Sequence, residues 1–148
     1  MPSENELEVY RQFRTSQDKY TYFLLAAAGT AIGFSVHRTE GMRLSWWMIP
    51  LGIGVLCWGV SFWAGCLHLQ YMASSLYANI GLLKVQAGTH EHLPPNPTPL
   101  VRQIAAQGIG DAIASNSKKT AFYAWLQFRS LLAGAIFFIG WHISTLVQ

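Results

Sequence analysis

The sequence predicts an all-α membrane protein with three transmembrane helices and a helical hairpin on the cytoplasmic side. Charged residues make up only 11% of the 148 residues and hydrophobic residues make up 51%, whereas a soluble domain carries roughly 25% charged residues. The same composition excludes intrinsic disorder, which requires low hydrophobicity and high charge. Three long stretches carry almost no charge, and about 20 apolar helical residues cross a bilayer core.

These stretches are the predicted spans, at residues 20–37, 45–69 and 121–147. The alternative is a set of buried helices in a soluble protein, which are usually shorter and flanked by amphipathic partners. Aromatic residues near the ends of the stretches, such as Trp46 and Trp47, favour the membrane, because aromatic residues gather at both of its interfaces.

The segments between the spans are predicted to be mostly helical, and together with the spans they form one membrane domain over residues 1–148. Residues 1–19 form an amphipathic helix on the inner membrane surface, or else a simple extension of the first span. The helix of the second span continues to about residue 88, where Gly88 stops it. Helical spacing there gives an apolar seam that resembles a short coiled coil: Leu69, Met72, Leu76, Ile80 and Leu83.

A proline-rich loop and a second cytoplasmic helix complete the predicted hairpin. Residues 89–99 hold four of the six prolines, so they form a loop. Thr98 and Pro99 are a suitable helix start, and residues 100–117 have an apolar face. This helix returns along the extension of the second span, although the apolar seam could also find its partner in a neighbouring subunit.

Basic residues set the orientation. Excluding Arg129, seven lie on the predicted inner side and two on the outer side, which places the N-terminus in the cytoplasm. We expect a bacterial inner membrane, with the C-terminus outside unless the third stretch re-enters or lies flat. The basic residues on the predicted inner side are Arg11, Arg14, Lys19, Lys84, Arg102, Lys118 and Lys119. Those on the predicted outer side are Arg38 and Arg43.

Small residues spaced four apart occur in all three spans and predict close helix packing. This spacing does not distinguish contacts within one chain from contacts between chains. The pairs are Gly29 with Gly33, Ser61 with Gly65, and Ser130 with Gly134.

Arg129 is the only charged residue inside the third stretch, and a guanidinium within a bilayer is costly and often functional. One hypothesis is that it snorkels to the inner headgroups. The other is that it faces the bundle, either paired with Asp18 or Asp111 or lining a polar path.

Two pairs of histidines are weak candidates for ligand sites, and we predict no cofactor and no metal. His37 and His142 both lie near the predicted outer interface, where they could hold a haem iron, although interfacial histidines are common without one. His90 and His92 could share a metal ion, but a site needs a third ligand and a solvated loop explains them as well.

No enzyme motif of the HExxH, GxSxG, P-loop or CxxC type is present, so we expect a non-enzymatic protein. The net charge of +3 is too small to indicate a nucleic-acid partner. Because three helices cannot enclose a pore, we expect a homo-oligomer that forms a pore or channel, with the lipid bilayer and its own copies as partners. An accessory or scaffolding subunit of a larger membrane complex is the alternative, and a haem-binding redox protein is a further one.

Overall fold

The computed structural model describes residues 4–43 and 45–146, and this part of the chain is built from helices with no strand. Helix α1 covers Glu4–Arg38, helix α2 covers Ile49–Ala87 and helix α3 covers Pro99–Leu146, while a short 3-10 turn, Trp46–Met48, precedes α2. The all-α prediction is therefore confirmed.

Two of these helices are longer than the sequence indicated. The predicted N-terminal helix and first span form one helix, α1, and the predicted cytoplasmic helix and third span form one helix, α3. Charged residues such as Lys118 and Lys119 suggested a boundary, but neither Gly nor Pro stands there to break the backbone. Gly108 and Gly110 lower helix stability by about 1 kcal/mol each without interrupting the 48 residues of α3.

The loop between α2 and α3 begins and ends as predicted. Gly88 has a φ of +73°, and the amides of Gly88 and Thr89 donate to the carbonyls of Val85 and Lys84, a Schellman helix end. At the other end, the Thr98 hydroxyl accepts from the Val101 amide at 3.4 Å. Thr98 thus caps α3, with Pro99 at the first helical position.

The chain divides into two compact units, both of which include parts of α2 and α3. Unit 1 contains residues 1–66 and 124–148, and unit 2 contains residues 67–123. Unit 1 is thus a three-helix bundle of α1 with the first part of α2 and the last part of α3. Unit 2 is a helical hairpin, as the sequence predicted for this region.

In unit 2 the two helices pack through a face of α2 that differs from the apolar seam. Three residues spaced seven apart, two on α2 and one directly after it, approach α3. Ser74 bonds with Asn116 at 3.2 Å, Gly81 lies near Ile109, and Gly88 lies near Arg102. Helix α3 therefore does not cover the apolar seam, which leaves a neighbouring subunit as the other partner that the sequence allows. The small side chains on the α3-facing side let the backbones come close, which the bulkier seam residues would prevent.

Two helical segments are long and apolar enough to cross a membrane, Trp46–Ala87 and Pro99–Leu146. Within their most apolar windows only 33% and 17% of the residues are buried in the protein. Among the described residues, α1 is not one of the helices that meet this test. Its uncharged run has only 17 residues, from Tyr20 to Val36, so the structure supports two of the three predicted spans.

Candidate functional site

Polar side chains join the three helices at the centre of unit 1. Ser61 on α2 donates a hydrogen bond of 2.8 Å to the Gln127 carbonyl on α3. The Gln127 side-chain amide in turn donates to the Thr21 carbonyl on α1 at 3.5 Å. Ser61 and Gln127 are 0% and 1% exposed, so these bonds form away from solvent, where an unmade bond is costly.

About one helical turn further along, Trp58 makes another bond between helices. Its indole N–H donates to the Leu131 carbonyl at 3.2 Å, and its ring lies 5.7 Å from that of Phe138. Phe138 also contacts Phe34 at 6.0 Å in an edge-on arrangement. These contacts place α3 parallel to α1 and antiparallel to α2 within unit 1.

Two glycines make this packing possible. A Cβ on Gly65 would lie 2.7 Å from the Leu25 side chain and 2.5 Å from the Gln127 amide nitrogen, and a Cβ on Gly134 would overlap the Trp58 indole. Both glycines are buried. The helices therefore touch directly at these levels, and the middle of unit 1 is filled by side chains.

Gly29 and Gly33, the third glycine-containing pair, occupy an open face of α1. Both are exposed, and a Cβ built on either one meets no atom within 4 Å. A shallow groove of about 530 Å³ lies against this helix, lined mostly by apolar and small residues: Phe23, Ala26, Ala27, Thr30, Ala31, Phe34, Trp58 and Phe138. The Gly65 and Gly134 contacts are thus internal, whereas Gly29 and Gly33 remain open to another helix.

Arg129 lies on the outside of unit 1. Its side chain is exposed, and its guanidinium carbon sits 4.6 Å from the centre of the Trp125 ring, one turn earlier on α3. Within the described ranges it makes no ion pair with Asp18 or Asp111. A guanidinium over an indole face is stabilised by a cation–π interaction, and this geometry favours snorkelling over a place in the bundle core.

Asp18 points an acceptor atom into the protein without a donor. Its Oδ1 atom is buried and has no hydrogen-bond partner among the described residues. Asp18 lies three residues before the buried Thr21, on the same side of α1. The carboxylate is therefore a strained polar group at the edge of the unit 1 core, since a buried acceptor without a donor destabilises the fold.

The two haem candidates have separate neighbours. His37 lies 3.5 Å from Glu40 and its side chain is 83% exposed. His142 is also exposed, and its ring stacks on Phe138 with centroids 6.4 Å apart. Because α1 and α3 run parallel, both histidines lie toward one end of unit 1, but His37 contacts Glu40 just beyond α1 and His142 stacks within α3.

His90 and His92 do come together in unit 2, with ring centroids 5.5 Å apart. The His92 amide donates to His90 Nδ1 at 3.3 Å, and His90 Nε2 lies 3.8 Å from a Cβ built on Gly81 of α2. No group of three metal-ligating side chains occurs among the described residues. The pair alone supplies two ligands, fewer than the four of a structural zinc site.

Sequence reasoning missed the residues that hold the helices together. Gln127 is a polar residue within an apolar stretch, and Trp58 lies in the middle of a predicted span instead of at its end. Both positions could have been noticed in the sequence. His68 in unit 2 is a third example, because it is buried and bonds to the Thr120 carbonyl at 3.0 Å. Since a carbonyl only accepts, Nδ1 of His68 carries the proton.

No family model, no curated protein and no solved structure matches this chain. The function is therefore argued from the geometry of the two units.

Proposed function

We propose that this chain is a non-enzymatic integral membrane protein of three spans that self-assembles within the bilayer. The observation that carries the proposal is the low burial of the apolar windows, 33% in α2 and 17% in α3. Exposing such a surface to water is unfavourable by a free energy of about 25 cal/mol per Å² of apolar area. Exposed apolar patches of this extent mark contacts with a membrane or with another protein.

The exposed side chains of unit 1 have the character of a lipid-facing surface. Large apolar residues on all three helices point outward, among them Phe23 at 67% exposure, Leu56 at 71% and Ile136 at 70%. The inside of unit 1 holds the hydrogen-bonded Ser61 and Gln127 together with small residues and a few large apolar ones, among them Trp58 and Trp141. An apolar exterior around a hydrogen-bonded interior is the arrangement that hydrocarbon favours.

Helix α1 is the proposed additional span, with the N-terminus in the cytoplasm of a bacterial inner membrane. Its uncharged run of 17 residues is short for a core about 30 Å thick, but Lys19 and Tyr20 extend it by snorkelling. Its contacts with α3 through Gln127 and Phe138 place it alongside the two more apolar helices.

Assembly, rather than chemistry, is the activity that the geometry supports best. The buried polar groups of unit 1 are engaged in bonds between helices, so they hold the bundle instead of converging on a substrate. The open face at Gly29 and Gly33 offers the close backbone approach by which helices associate in lipid. A homo-oligomer joined through α1 uses this face.

Native mass spectrometry in lipid nanodiscs tests the proposal. Wild-type protein is expected as an oligomer, and Gly33→Leu is expected to lose the contacts made through α1 and to shift the distribution toward smaller species. Gly59→Leu is the matched control, because Gly59 on α2 is also exposed with no atom within 4 Å of a built Cβ. A monomeric wild type would contradict self-assembly and favour an accessory subunit that binds a different membrane protein.

A pore between subunits is a second candidate, favoured by the position of Arg129. Its charge lies on the outer surface of α3, where a neighbouring copy could enclose it in a polar path. Planar-bilayer recordings should then show conductance whose ion preference changes in Arg129→Leu. An unchanged preference would support simple snorkelling.

A further inference from the structure

The strongest unused feature of the molecule is the apolar seam of unit 2. Its three central members are open to the surroundings, with exposures of 42% for Leu76, 54% for Ile80 and 59% for Leu83. Leu69 and Met72 are half-buried. A two-helix hairpin buries little apolar area by itself, so an exposed row of this kind calls for a covering surface.

The hairpin itself does not cover the seam. Helix α3 contacts α2 through Ser74, Gly81 and Gly88. On a helix with 3.6 residues per turn, the row through Leu76 and Leu83 lies well over a quarter-turn from that contact row. The seam therefore faces away from α3.

The spacing within the seam fits an identical helix. Leu69, Leu76 and Leu83 recur every seven residues; Met72 takes the intermediate heptad position of the first repeat, and Asn79, next to Ile80, takes that of the second. Leucines at this repeat pack as knobs into the holes of a second helix with the same repeat. Ile80 broadens the row by one position.

Charge points to a second copy of this chain as the occupant. No Lys, Arg, Asp or Glu occurs between Arg43 and Lys84. Two copies brought together along the seam therefore place no like charges opposite each other. An acidic or basic partner, by contrast, would find no counter-charge on this surface.

We infer that the apolar seam is a symmetric interface at which α2 of a second copy packs in parallel. The parallel direction rests on the proposed function, because copies inserted in one membrane share one orientation. A two-fold axis along the membrane normal then brings each seam residue against its own counterpart. This interface uses residues of unit 2 and is distinct from the open face of α1 in unit 1.

Disulfide cross-linking of the full chain in liposomes tests the inference. In a Cys57→Ser, Cys66→Ser background, Leu76→Cys and Leu83→Cys are each oxidised with copper phenanthroline. Both are expected to give mostly covalent dimer, because facing heptad positions bring Cα atoms within the roughly 7 Å that a disulfide can bridge. Met72→Cys is a further seam variant with the same expected result.

Gln70→Cys is the matched control, since Gln70 is exposed on the same helix but lies off the seam. It is expected to give at least about tenfold less dimer than Leu76→Cys, as its Cα atoms are beyond disulfide reach. Equal cross-linking at all positions, or none at the seam, would overturn the inference.

Flotation of the same liposomes separates the two proposals. Protein that floats with the lipid but does not cross-link at the seam would overturn the interface and leave the membrane assignment standing. Protein that fails to float would overturn both. Floating protein with cross-links confined to the seam variants supports both.

Discussion

Unit 1 and unit 2 are both built on α2 and α3, but only unit 1 adds a third helix, α1. In unit 1 the polar side chains of Ser61 and Gln127 lie inside and large apolar side chains lie outside. In unit 2 the contacts also run through small and polar residues, such as Ser74 with Asn116, while leucines of the apolar seam stay outside. The lesson is that the buried positions of this chain combine small and hydrogen-bonding residues with a few large apolar ones such as Leu24 and Trp141.

The units differ in how completely their contact faces are enclosed. Unit 1 has a third helix and fully buried residues such as Ala28 and Ala64, both 0% exposed. Unit 2 has two helices, and its most buried side chain on α2 is Val85 at 2%. Unit 1 should therefore respond strongly to changes of side-chain volume, and unit 2 should respond mainly to changes at its helix ends.

The largest effect is expected from Gly134→Leu in unit 1. A side chain at this position overlaps the Trp58 indole, and overpacking of a close contact costs about 3 kcal/mol or more. Denaturant unfolding in micelles, followed by circular dichroism, should show this loss. Gly140→Leu is the control, because no atom lies within 4 Å of its built Cβ; an equal loss in both variants would contradict the packing.

Ser61→Ala should have a smaller effect on the same unit. It removes the 2.8 Å bond to the Gln127 carbonyl, and hydrogen bonds between membrane helices contribute about 0.6 kcal/mol on average, up to roughly 1.7. The same unfolding assay should show that the free energy of unfolding falls by about 1 kcal/mol. Ser144→Ala is a suitable comparison, since that hydroxyl bonds only within its own helix and is not buried; it should leave stability unchanged.

Gly88→Ala should destabilise the end of α2 in unit 2. Gly88 has a φ of +73° and a Cβ there would lie 3.2 Å from the Arg102 guanidinium carbon, so we expect a loss of about 1 kcal/mol. Hydrogen exchange should report faster opening near residues 84–89. Gly110→Ala, in mid-helix where no atom lies within 4 Å of a built Cβ, should instead slow the hydrogen exchange of nearby amides slightly.

The smallest effect is expected at Asp18, where a substitution should increase the free energy of unfolding. Asp18→Asn replaces a carboxylate that has a buried acceptor without a donor by a neutral amide of the same shape. The free energy of unfolding should rise by roughly 0.5 kcal/mol, because a neutral group is less costly to bury. A loss of stability would show that the carboxylate has a stabilising ligand.

The sequence predicted the helical class and the loop boundaries because both depend on local chemistry. Gly88 and Thr98 with Pro99 act through their own backbone, so their effect could be predicted from the residues alone. The continuity of α1 matches the alternative in which residues 1–19 extend the first span. Helix α3 runs on past Lys118 and Lys119 because charged residues do not break a helix and no proline follows Pro99 within it.

The partners of each face could not be predicted in the same way. The periodicity of Leu69, Leu76 and Leu83 shows that a face exists but not which helix covers it. Likewise, the spacing of Gly29 with Gly33 matches that of Ser61 with Gly65, yet only the second pair is buried. That distinction depends on three helices meeting in space, with Gln127 and Trp58 completing the contacts.

Spin-label accessibility tests the central claim, that hydrocarbon surrounds the exposed apolar residues, most directly. Labels at Leu56 and Ile136, which are 71% and 70% exposed, are compared in liposomes with oxygen and with a water-soluble nickel chelate as relaxing agents. The account predicts strong relaxation by oxygen and weak relaxation by the nickel chelate at both positions. Dominant relaxation by the nickel chelate would place these residues in water and contradict the account.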